Sequence, residues 1–530
     1  MTLTGARASR VTAPATARPN SRPPFAWRAV AALATFKLGL HTMVNALSPY
    51  GFHRDEFLYF AMGKYLAPWR MDFPPMIAFL ANAVRVLLGD SLVAIRLVPA
   101  LAGTTTLVLA ALIARELGGG RGAQLLASLA VLSNSLFLRP SNLFQPVVLD
   151  QLCWTLGFFA LIRLARHEPA EQGRDWLLLA AAAGLGLLTK FSIVFFGFAV
   201  FVALLVTPWR RSYVTPWPWV ALGLALVIGS PSLVGQARLG FPVAGQMVEL
   251  QATQLARVSV WGFLHFQLRL GPGTLLALVG VVSLLVVPAL RRFRVVGIAC
   301  LAAFVTLLVL RGKPYYVGPI YPTLFAAGAV AIGSIVARGW RLGLQGVTVT
   351  ALVVYGLLRA PLGLPILDPM TMERYIARLA GQSAVTTNVG VVERLPQDYA
   401  DMLGWEEQVA AVARVYDSLP PEDRARAVLL ASNYGEAGAI DFFGPRYGLP
   451  RAVAFVGSYW FFGPGDLPGD VVVMLGFERD EVEDHCGLIE EAARLGHPYA
   501  VAEERDLKVL VCREPARTLQ DIWPELEGEQ

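Results

Sequence analysis

The chain has 530 residues, of which 55% are hydrophobic and only 16% charged, and its mean hydropathy is +0.52. A soluble domain carries about 25% charged residues, so this composition excludes an ordinary soluble protein and predicts that most of the chain lies in lipid. The net charge of +6 comes from short basic clusters between apolar runs. That pattern is typical of cytoplasmic loops and does not indicate a nucleic-acid partner.

Residues 1–28 are rich in Arg, Pro, Ala and Thr and contain no acidic residue. This composition predicts a disordered basic tail that stays in the cytoplasm. A cleaved signal peptide is the alternative, but the segment is rich in proline and no clear cleavage site follows the first apolar run. The first span, near Ala29–Leu47, then places the following loop outside the membrane.

About eleven apolar segments are predicted to cross the membrane. They lie near residues 29–47, 92–114, 123–138, 151–165, 176–188, 193–206, 220–233, 274–290, 295–310, 320–336 and 342–358. Every second turn between them carries arginine, so the positive-inside rule predicts a cytoplasmic N-terminus and an external C-terminus. We therefore expect a transmembrane domain over residues 29–358 in the cytoplasmic membrane.

From residue 361 to residue 530 the charge rises and the apolar runs shorten. Strand-like pieces (AVLLAS, RAVAFVG, VVVMLGF, LKVLVC) alternate with helical stretches such as WEEQVAAVARVYDSL. This pattern predicts an extracytoplasmic α/β domain of roughly 150 residues. Cys486 and Cys512 both lie in it and could form a disulfide if the domain is exported, although the sequence does not establish that pairing.

The first external loop, residues 48–90, carries an unusual density of charge beside a span. Asp55 and Glu56 are adjacent, and Asp72 precedes two prolines. Charge is costly beside lipid unless it has a function, so we interpret this loop as the active site. Within it, EFLYFAMGKYL is predicted to be a helix along the membrane interface, and Met76–Leu88 a second interfacial helix.

Several motifs, in register with this topology, resemble the polytopic glycosyltransferases of the C-type fold, specifically family 39. That group includes protein O-mannosyltransferases and the aminoarabinose transferases that modify lipid A. The motifs are DEFLYFA, MDFPPMIAFL, GDSLVAIRLVPAL, VVLDQLCW, GLLTKFSIV and GKPYYVGPIYP, and the resemblance covers about residues 30–340. Many relatives have His where this chain has Phe73, so any role of that His is absent here.

The resemblance implies transfer of a sugar from a polyprenyl-phosphate carrier to an acceptor outside the cytoplasmic membrane. The acceptor is expected to be a protein, a lipid or a cell-envelope polysaccharide. Asp55 is the predicted general base, with Glu56 and Asp72 as further catalytic carboxylates. The alternatives are a helix cap for Asp55 and a turn residue for Asp72.

Five residues are predicted to bind the donor phosphate, because cations and tyrosine hydroxyls suit that group: Lys313, Tyr315, Tyr316, Arg54 and Lys190. Three are predicted to contact the acceptor or sugar: Tyr59, Trp69 and Asp150. An interfacial belt of aromatic and basic residues, or an N-cap in the case of Asp150, is the alternative for these.

A divalent metal ion is a candidate cofactor, with Asp55, Asp72 and His265 as candidate ligands, although a lone His is more often structural. A secondary transporter is the alternative from another class. It would be expected to show inverted repeats and charges at mid-membrane, whereas here the acids gather at one face.

Overall fold

The computed structural model describes residues 22–335, 338–467 and 469–526. Most of the predicted basic tail, residues 1–21, lies outside the described residues. The described chain forms a bundle of long apolar helices followed by a smaller α/β part that contains all five strands of one sheet.

Each of the eleven segments predicted as spans is helical over most of its described residues, with breaks at Ser133–Asn134 in one segment and at Val287 in another. The helices of this part are α1 Trp27–Leu47, α2 Arg54–Lys64, α3 Met76–Leu88, α4 Leu92–Glu116, α5 Arg121–Leu132, α6 Ser135–Leu138, α7 Pro146–Arg166, α8 Gln172–Thr189, α9 Ile193–Leu205, α10 Trp217–Arg238, α11 Pro242–Thr253, α12 Val260–Gln267, α13 Pro272–Val286, α14 Arg294–Val309, α15 Tyr321–Ile335 and α16 Arg338–Arg359.

Fewer of these helices than predicted are long and apolar enough to cross a membrane. Within the described ranges, seven meet that condition, or up to nine if each of two bent helix pairs is one span. The difference from eleven lies in α5, which has only 12 residues, and in α8, whose first turn carries Arg174 and Asp175. The prediction of a polytopic helical membrane protein is confirmed, with a lower count of complete spans.

The predicted first external loop contains α2 and α3. Both are helical as predicted, but α2 does not lie against lipid, because Phe57 and Phe60 are buried. These two phenylalanines pack against helix α21, Tyr434–Phe443, of the C-terminal part. A Cβ on Gly438 of α21 would lie 2.7 Å from the Cβ of Phe57, so glycine is needed for this close approach.

The C-terminal part alternates strands and helices before it ends in an antiparallel pair. Its elements are α17 Pro369–Tyr375, α18 Gln397–Ala400, α19 Trp405–Ser418, α20 Pro421–Arg424, β1 Ala427–Ala431, α21 Tyr434–Phe443, β2 Ala452–Val453, α22 Ser458–Phe462, β3 Val471–Leu475, α23 Arg479–Val482, β4 Cys486–Leu495, β5 Leu507–Pro515 and α24 Leu519–Ile522. The strand order is β2-β1-β3-β5-β4, with β2, β1 and β3 parallel and β5 antiparallel to both neighbours. The predicted α/β character is confirmed.

One strand was missed from the sequence. The segment CGLIEEAARL has helix-forming residues, yet it is the edge strand β4. It pairs with β5 along its length, and the disulfide between Cys486 and Cys512 joins the two strands. The pairing that the sequence left open is therefore present in the structure.

The C-terminal part covers the first external loop through an aromatic cluster. Phe57 of α2 contacts Trp405, Phe442 and Phe443 edge-on, with ring centroids 5.6–5.8 Å apart. Two backbone hydrogen bonds reinforce this contact, from Gly51 to the Met402 carbonyl and from Arg54 to the Asp401 carbonyl. The predicted catalytic loop thus lies between the helix bundle and the C-terminal part.

Candidate active site

The N-terminus of α2 presents the predicted acidic pair. His53 is the N-cap, and its Nδ1 accepts a 3.1 Å hydrogen bond from the Asp55 backbone N–H. Glu56 completes a capping box by accepting from the His53 backbone N–H at 2.7 Å. The alternative role of Asp55 as the helix cap is therefore wrong, because His53 holds that position and leaves the Asp55 side chain available.

Glu56 is fully buried and opposite a fully buried arginine. Arg96 of α4 donates two hydrogen bonds to it, at 2.9 and 2.8 Å, and the Phe144 backbone N–H donates a third at 2.7 Å. These donors hold its pKa below the usual range although burial alone would raise it. Glu56 thereby fixes α2 to α4, and its carboxylate does not face a cavity.

Asp55 is half-buried and is held by two donors from distant parts of the chain. The Tyr434 hydroxyl donates to Oδ1 at 3.0 Å, and the Gln145 side chain donates to Oδ2 at 2.9 Å. Asp55 also belongs to the electrostatic surroundings of Tyr59, together with Tyr434 and Tyr315. The two hydrogen bonds therefore orient the carboxylate, which lies near one predicted acceptor-binding residue, Tyr59, and one predicted phosphate-binding residue, Tyr315.

Arg54, predicted to bind the donor phosphate, is engaged by the C-terminal part. Its guanidinium lies 5.1 Å from the centre of the Tyr434 ring and 3.0 Å from a carboxylate oxygen of Glu503. A cation over an aromatic face is attracted by the ring quadrupole. Arg54 and Tyr434 therefore support one another beside Asp55.

The remaining predicted phosphate-binding residues do come together. The Lys190 ammonium lies 4.7 Å from the centre of the Tyr316 ring, and the Tyr315 and Tyr316 rings are 4.9 Å apart. Lys313 lies close enough to Lys190 and Asp55 to feel the charge of each. Its pKa is lowered to about 8, first by burial and then by Lys190.

Lys313 and Tyr315 line a cavity of about 480 Å³ between the helix bundle and the C-terminal part. Arg257 also lines it, and the prediction did not include this residue. A Cβ on Gly390 would lie 2.7 Å from the Arg257 guanidinium, so the turn of the C-terminal part and this arginine form one wall. The cavity thus combines two cations with hydroxyl donors.

Asp72 is buried and contacts the C-terminal part. Ser458 at the start of α22 donates a 2.7 Å hydrogen bond to its Oδ2, and Gln236 of α10 donates to its backbone carbonyl. Burial raises the pKa of Asp72 to about 6, against the lowering effect of the Ser458 hydrogen bond and of the Asp72 and Phe73 backbone N–H groups. Asp55 is not among its partners.

The acceptor and metal predictions fall at separate positions. Asp150 lies inside α7 and accepts a 2.7 Å hydrogen bond from Ser192, so it is not the N-cap of that helix, a position occupied by Gln145. Trp69 is 48% exposed on the turn before α3. His265 lines a different cavity from Lys313.

The structure does not bring Asp55, Asp72 and His265 together as a metal site. Over the described ranges, no group of three or more His, Cys, Asp or Glu residues could hold a metal ion. The physical reason is that Asp55 and Asp72 face different helices of the C-terminal part, α21 and α22.

Sequence reasoning missed Gln145, Arg257, Tyr434 and Ser458. The only signal for any of them was the stretch ASNYGEAGAIDFF, which contains Tyr434 and stands out in the C-terminal part. A tyrosine 379 positions from Asp55 gives no local sign of that contact.

A helix bundle whose acidic first loop lies beneath an α/β part defines a polytopic membrane protein of the C-type glycosyltransferase fold. Comparison with known proteins agrees. Residues 72–234 match the family model of dolichyl-phosphate-mannose-protein mannosyltransferase. Comparison with curated proteins returned no significant match.

Two solved structures share the fold. ArnT from Cupriavidus metallidurans, bound to undecaprenyl phosphate, has a TM-score of 0.60 at 15% identity and covers 91% of this chain and 98% of its own. The arabinofuranosyltransferase AftD from Mycobacteria has a TM-score of 0.51 at 15% identity, covering 93% of this chain and 40% of its own. The chain is therefore a multi-pass membrane protein of this fold, and the resemblance to ArnT and the mannosyltransferases is confirmed.

Proposed function

We propose that this protein transfers a glycosyl group from a polyprenyl-phosphate-linked donor to an acceptor at the outer face of the cytoplasmic membrane. One observation carries the proposal: an oriented carboxylate, Asp55, acts electrostatically on Lys313 and Tyr315, and these two residues line a cavity together with Arg257. A base and a cluster of phosphate-binding cations are the two parts that this transfer needs. The similar ArnT structure contains undecaprenyl phosphate, which supports the class of carrier.

In the proposed reaction, Asp55 takes the proton of the acceptor hydroxyl as its oxygen bonds to the anomeric carbon. The bond between that carbon and the phosphate oxygen breaks, and its electron pair remains on the phosphate. Lys313 and Arg257 stabilise the developing negative charge. Direct displacement inverts the anomeric centre and needs one base rather than the carboxylate pair of a glycosidase.

The proposal is tested by Asp55→Asn in membranes that are supplied with a panel of radiolabelled polyprenyl-phosphate sugars. A general base contributes about 10²–10⁴-fold to the rate, so release of polyprenyl phosphate is expected to fall by at least about a hundredfold. Asp484→Asn, at an exposed acid of the C-terminal part, is the matched control and should retain wild-type turnover.

Donor binding by Asp55→Asn should persist, which separates loss of the base from loss of the fold. Near-normal turnover by this variant would remove Asp55 as the base. A wild-type protein that consumes no donor from the panel but moves a solute across vesicles would overturn the transferase proposal in favour of a transporter.

A further inference from the structure

A second cavity, of about 410 Å³, borders α12 as the Lys313 cavity does. His265 lines this second cavity, whereas the next residue, Phe266, lines the Lys313 cavity. No residue lines both cavities. The second cavity is thus a separate space from the Lys313 cavity.

The second cavity is positively charged. Arg269 and Arg359 both line it, and Arg359 and Arg139 both act on Arg269 as like charges. Arg139 forms a 3.0 Å ion pair with Asp398, so that acid is already engaged. Two guanidinium groups beside each other repel unless an anion lies between them.

The acids nearest in sequence do not neutralise this charge. Asp368 caps α17 by accepting from the Thr371 backbone N–H at 3.1 Å. Glu373 accepts two hydrogen bonds from Arg394, at 2.8 and 2.9 Å. Within the described ranges, the cavity lining contains no carboxylate.

Two tyrosine hydroxyls of the same cavity hold the backbone beside its arginines. Tyr355 of α16 donates to the backbone carbonyl of Arg269, which ties the segment after α12 to α16. Tyr375 of α17 donates a 2.7 Å hydrogen bond to the backbone carbonyl of Leu358, one residue before Arg359. The backbone that carries the two arginines is therefore fixed by contacts with α16 and α17.

The rest of the cavity wall is apolar and exposed. Leu268, Leu358 and Leu379 line it, and each is more than half exposed. Helix α16 is long and apolar enough to cross a membrane, but only 6% of its apolar stretch is buried inside the protein. Its exposed face therefore continues from the cavity as a surface suited to acyl chains.

We propose that this cavity binds an anionic diacyl phospholipid of the membrane, with its phosphate between Arg269 and Arg359 and its chains along α16. Guanidinium groups suit phosphate because they present several donors in one plane. A free phosphate ion would leave the leucine wall unused, and a neutral lipid would leave the two arginines uncompensated. This site is independent of the proposed transferase reaction.

The test measures lipid retention by the full-length protein. Protein in vesicles of phosphatidylcholine with phosphatidylglycerol is extracted, and bound phosphatidylglycerol is counted by native mass spectrometry. Arg269→Gln and Arg359→Gln should each weaken retention roughly fivefold, because one basic residue near a membrane anion contributes about that factor. Arg374→Gln, at an exposed arginine of α17 that does not line the cavity, is the matched control and should retain the lipid.

A charge-conserving pair separates charge from folding. The double variant Arg269→Lys and Arg359→Lys should keep most of the bound phosphatidylglycerol. Loss of the lipid from this double variant would overturn the proposal. Displacement of phosphatidylglycerol by inorganic phosphate would show that the cavity binds the phosphate group and not the acyl chains. Displacement by polyprenyl phosphate at equal concentration would assign the cavity to the carrier, and either result overturns the diacyl phospholipid.

Discussion

The hydroxyl of Tyr434 donates a 3.0 Å hydrogen bond to Oδ1 of Asp55, so a side chain of the C-terminal part orients the candidate base of the first external loop. Through the same ring, Tyr434 also contacts the guanidinium of Arg54. The C-terminal part therefore contributes to the candidate active site and does more than cover it.

Tyr434→Phe removes this hydroxyl and keeps the ring over Arg54. A hydrogen bond to a charged group contributes about 1.5–3 kcal/mol, so kcat/KM for glycosyl transfer should fall about ten- to a hundredfold. Tyr447→Phe, at an exposed tyrosine in the same part, should leave kcat/KM unchanged. Equal kinetics for both variants would contradict a positioning role for Tyr434.

Arg96→Met should destabilise the fold rather than act on catalysis alone. It would leave Glu56 charged and buried without its partner, which costs about 3–5 kcal/mol in the free energy of unfolding. Combining it with Glu56→Gln should recover part of that loss. Arg494→Met breaks exposed ion pairs with Glu491 and Asp506 and should cost less than about 1 kcal/mol. Denaturant unfolding in detergent measures the free energy of unfolding of these three variants against wild type.

Because Asp72 is buried, we expect the free energy of unfolding to depend on pH. Its folded pKa of about 6 exceeds the unfolded value of 3.8, so ionisation opposes folding as pH rises from about 4 to 6. Two pKa units correspond to about 3 kcal/mol, which is the upper limit of the destabilisation above pH 6. Asp72→Asn should therefore be more stable than wild type at pH 7.5 and no more stable at pH 4.

Thermal unfolding of both proteins across this pH range makes the comparison. The exposed control Asp484→Asn should follow the wild-type curve at every pH. A constant offset between Asp72→Asn and wild type would mean that Asp72 does not titrate in this window.

The lowered pKa of Lys313 predicts that binding of the donor depends on pH. Its pKa of about 8 means that the ammonium is charged below pH 8 and neutral above it. The KM for the polyprenyl-phosphate donor should rise as pH increases through 8, because the phosphate loses one cation. Lys313→Arg, which stays protonated, should keep KM flat between pH 7 and 9. Lys64→Arg, at a half-exposed lysine paired with Asp441, should keep the wild-type pH profile.

The disulfide between Cys486 and Cys512 predicts that the C-terminal part lies in an oxidising compartment, outside the cytoplasm. Disulfides persist in oxidising compartments, so protein from intact cells should show both thiols blocked to alkylation until it is reduced. Cys153 and Cys300 are free thiols in buried positions and give the internal reference after denaturation. Two free thiols at positions 486 and 512 would contradict the external orientation.

Replacing both of these cysteines with serine should also lower stability. The two cysteines are separated by 26 residues in sequence, and for a loop of that length the chain-entropy model gives about 3.5 kcal/mol. The loss should appear in unfolding of the C-terminal part, since the bond joins its edge strand β4 to β5.

Sequence patterns were sufficient to predict the helices of the bundle, their apolar character and the acidic first loop, because these follow from local periodicity and from charge beside apolar runs. It also indicated Lys313, Tyr315, Tyr316 and Lys190, which the fold brings together. These residues lie in turns between helices, and the predicted topology places both turns on the same side of the membrane.

Which acids have accessible carboxylates depends on contacts that form when the chain folds. Asp55 and Glu56 are neighbours in sequence, yet helical geometry points one toward Tyr434 and the other toward the buried Arg96. The edge strand β4 likewise formed against its local helix propensity, because pairing with β5 satisfies its backbone. Contacts between residues hundreds of positions apart have no signature in a single sequence, so the donors to Asp55 and Asp72 appeared only when the chain was folded.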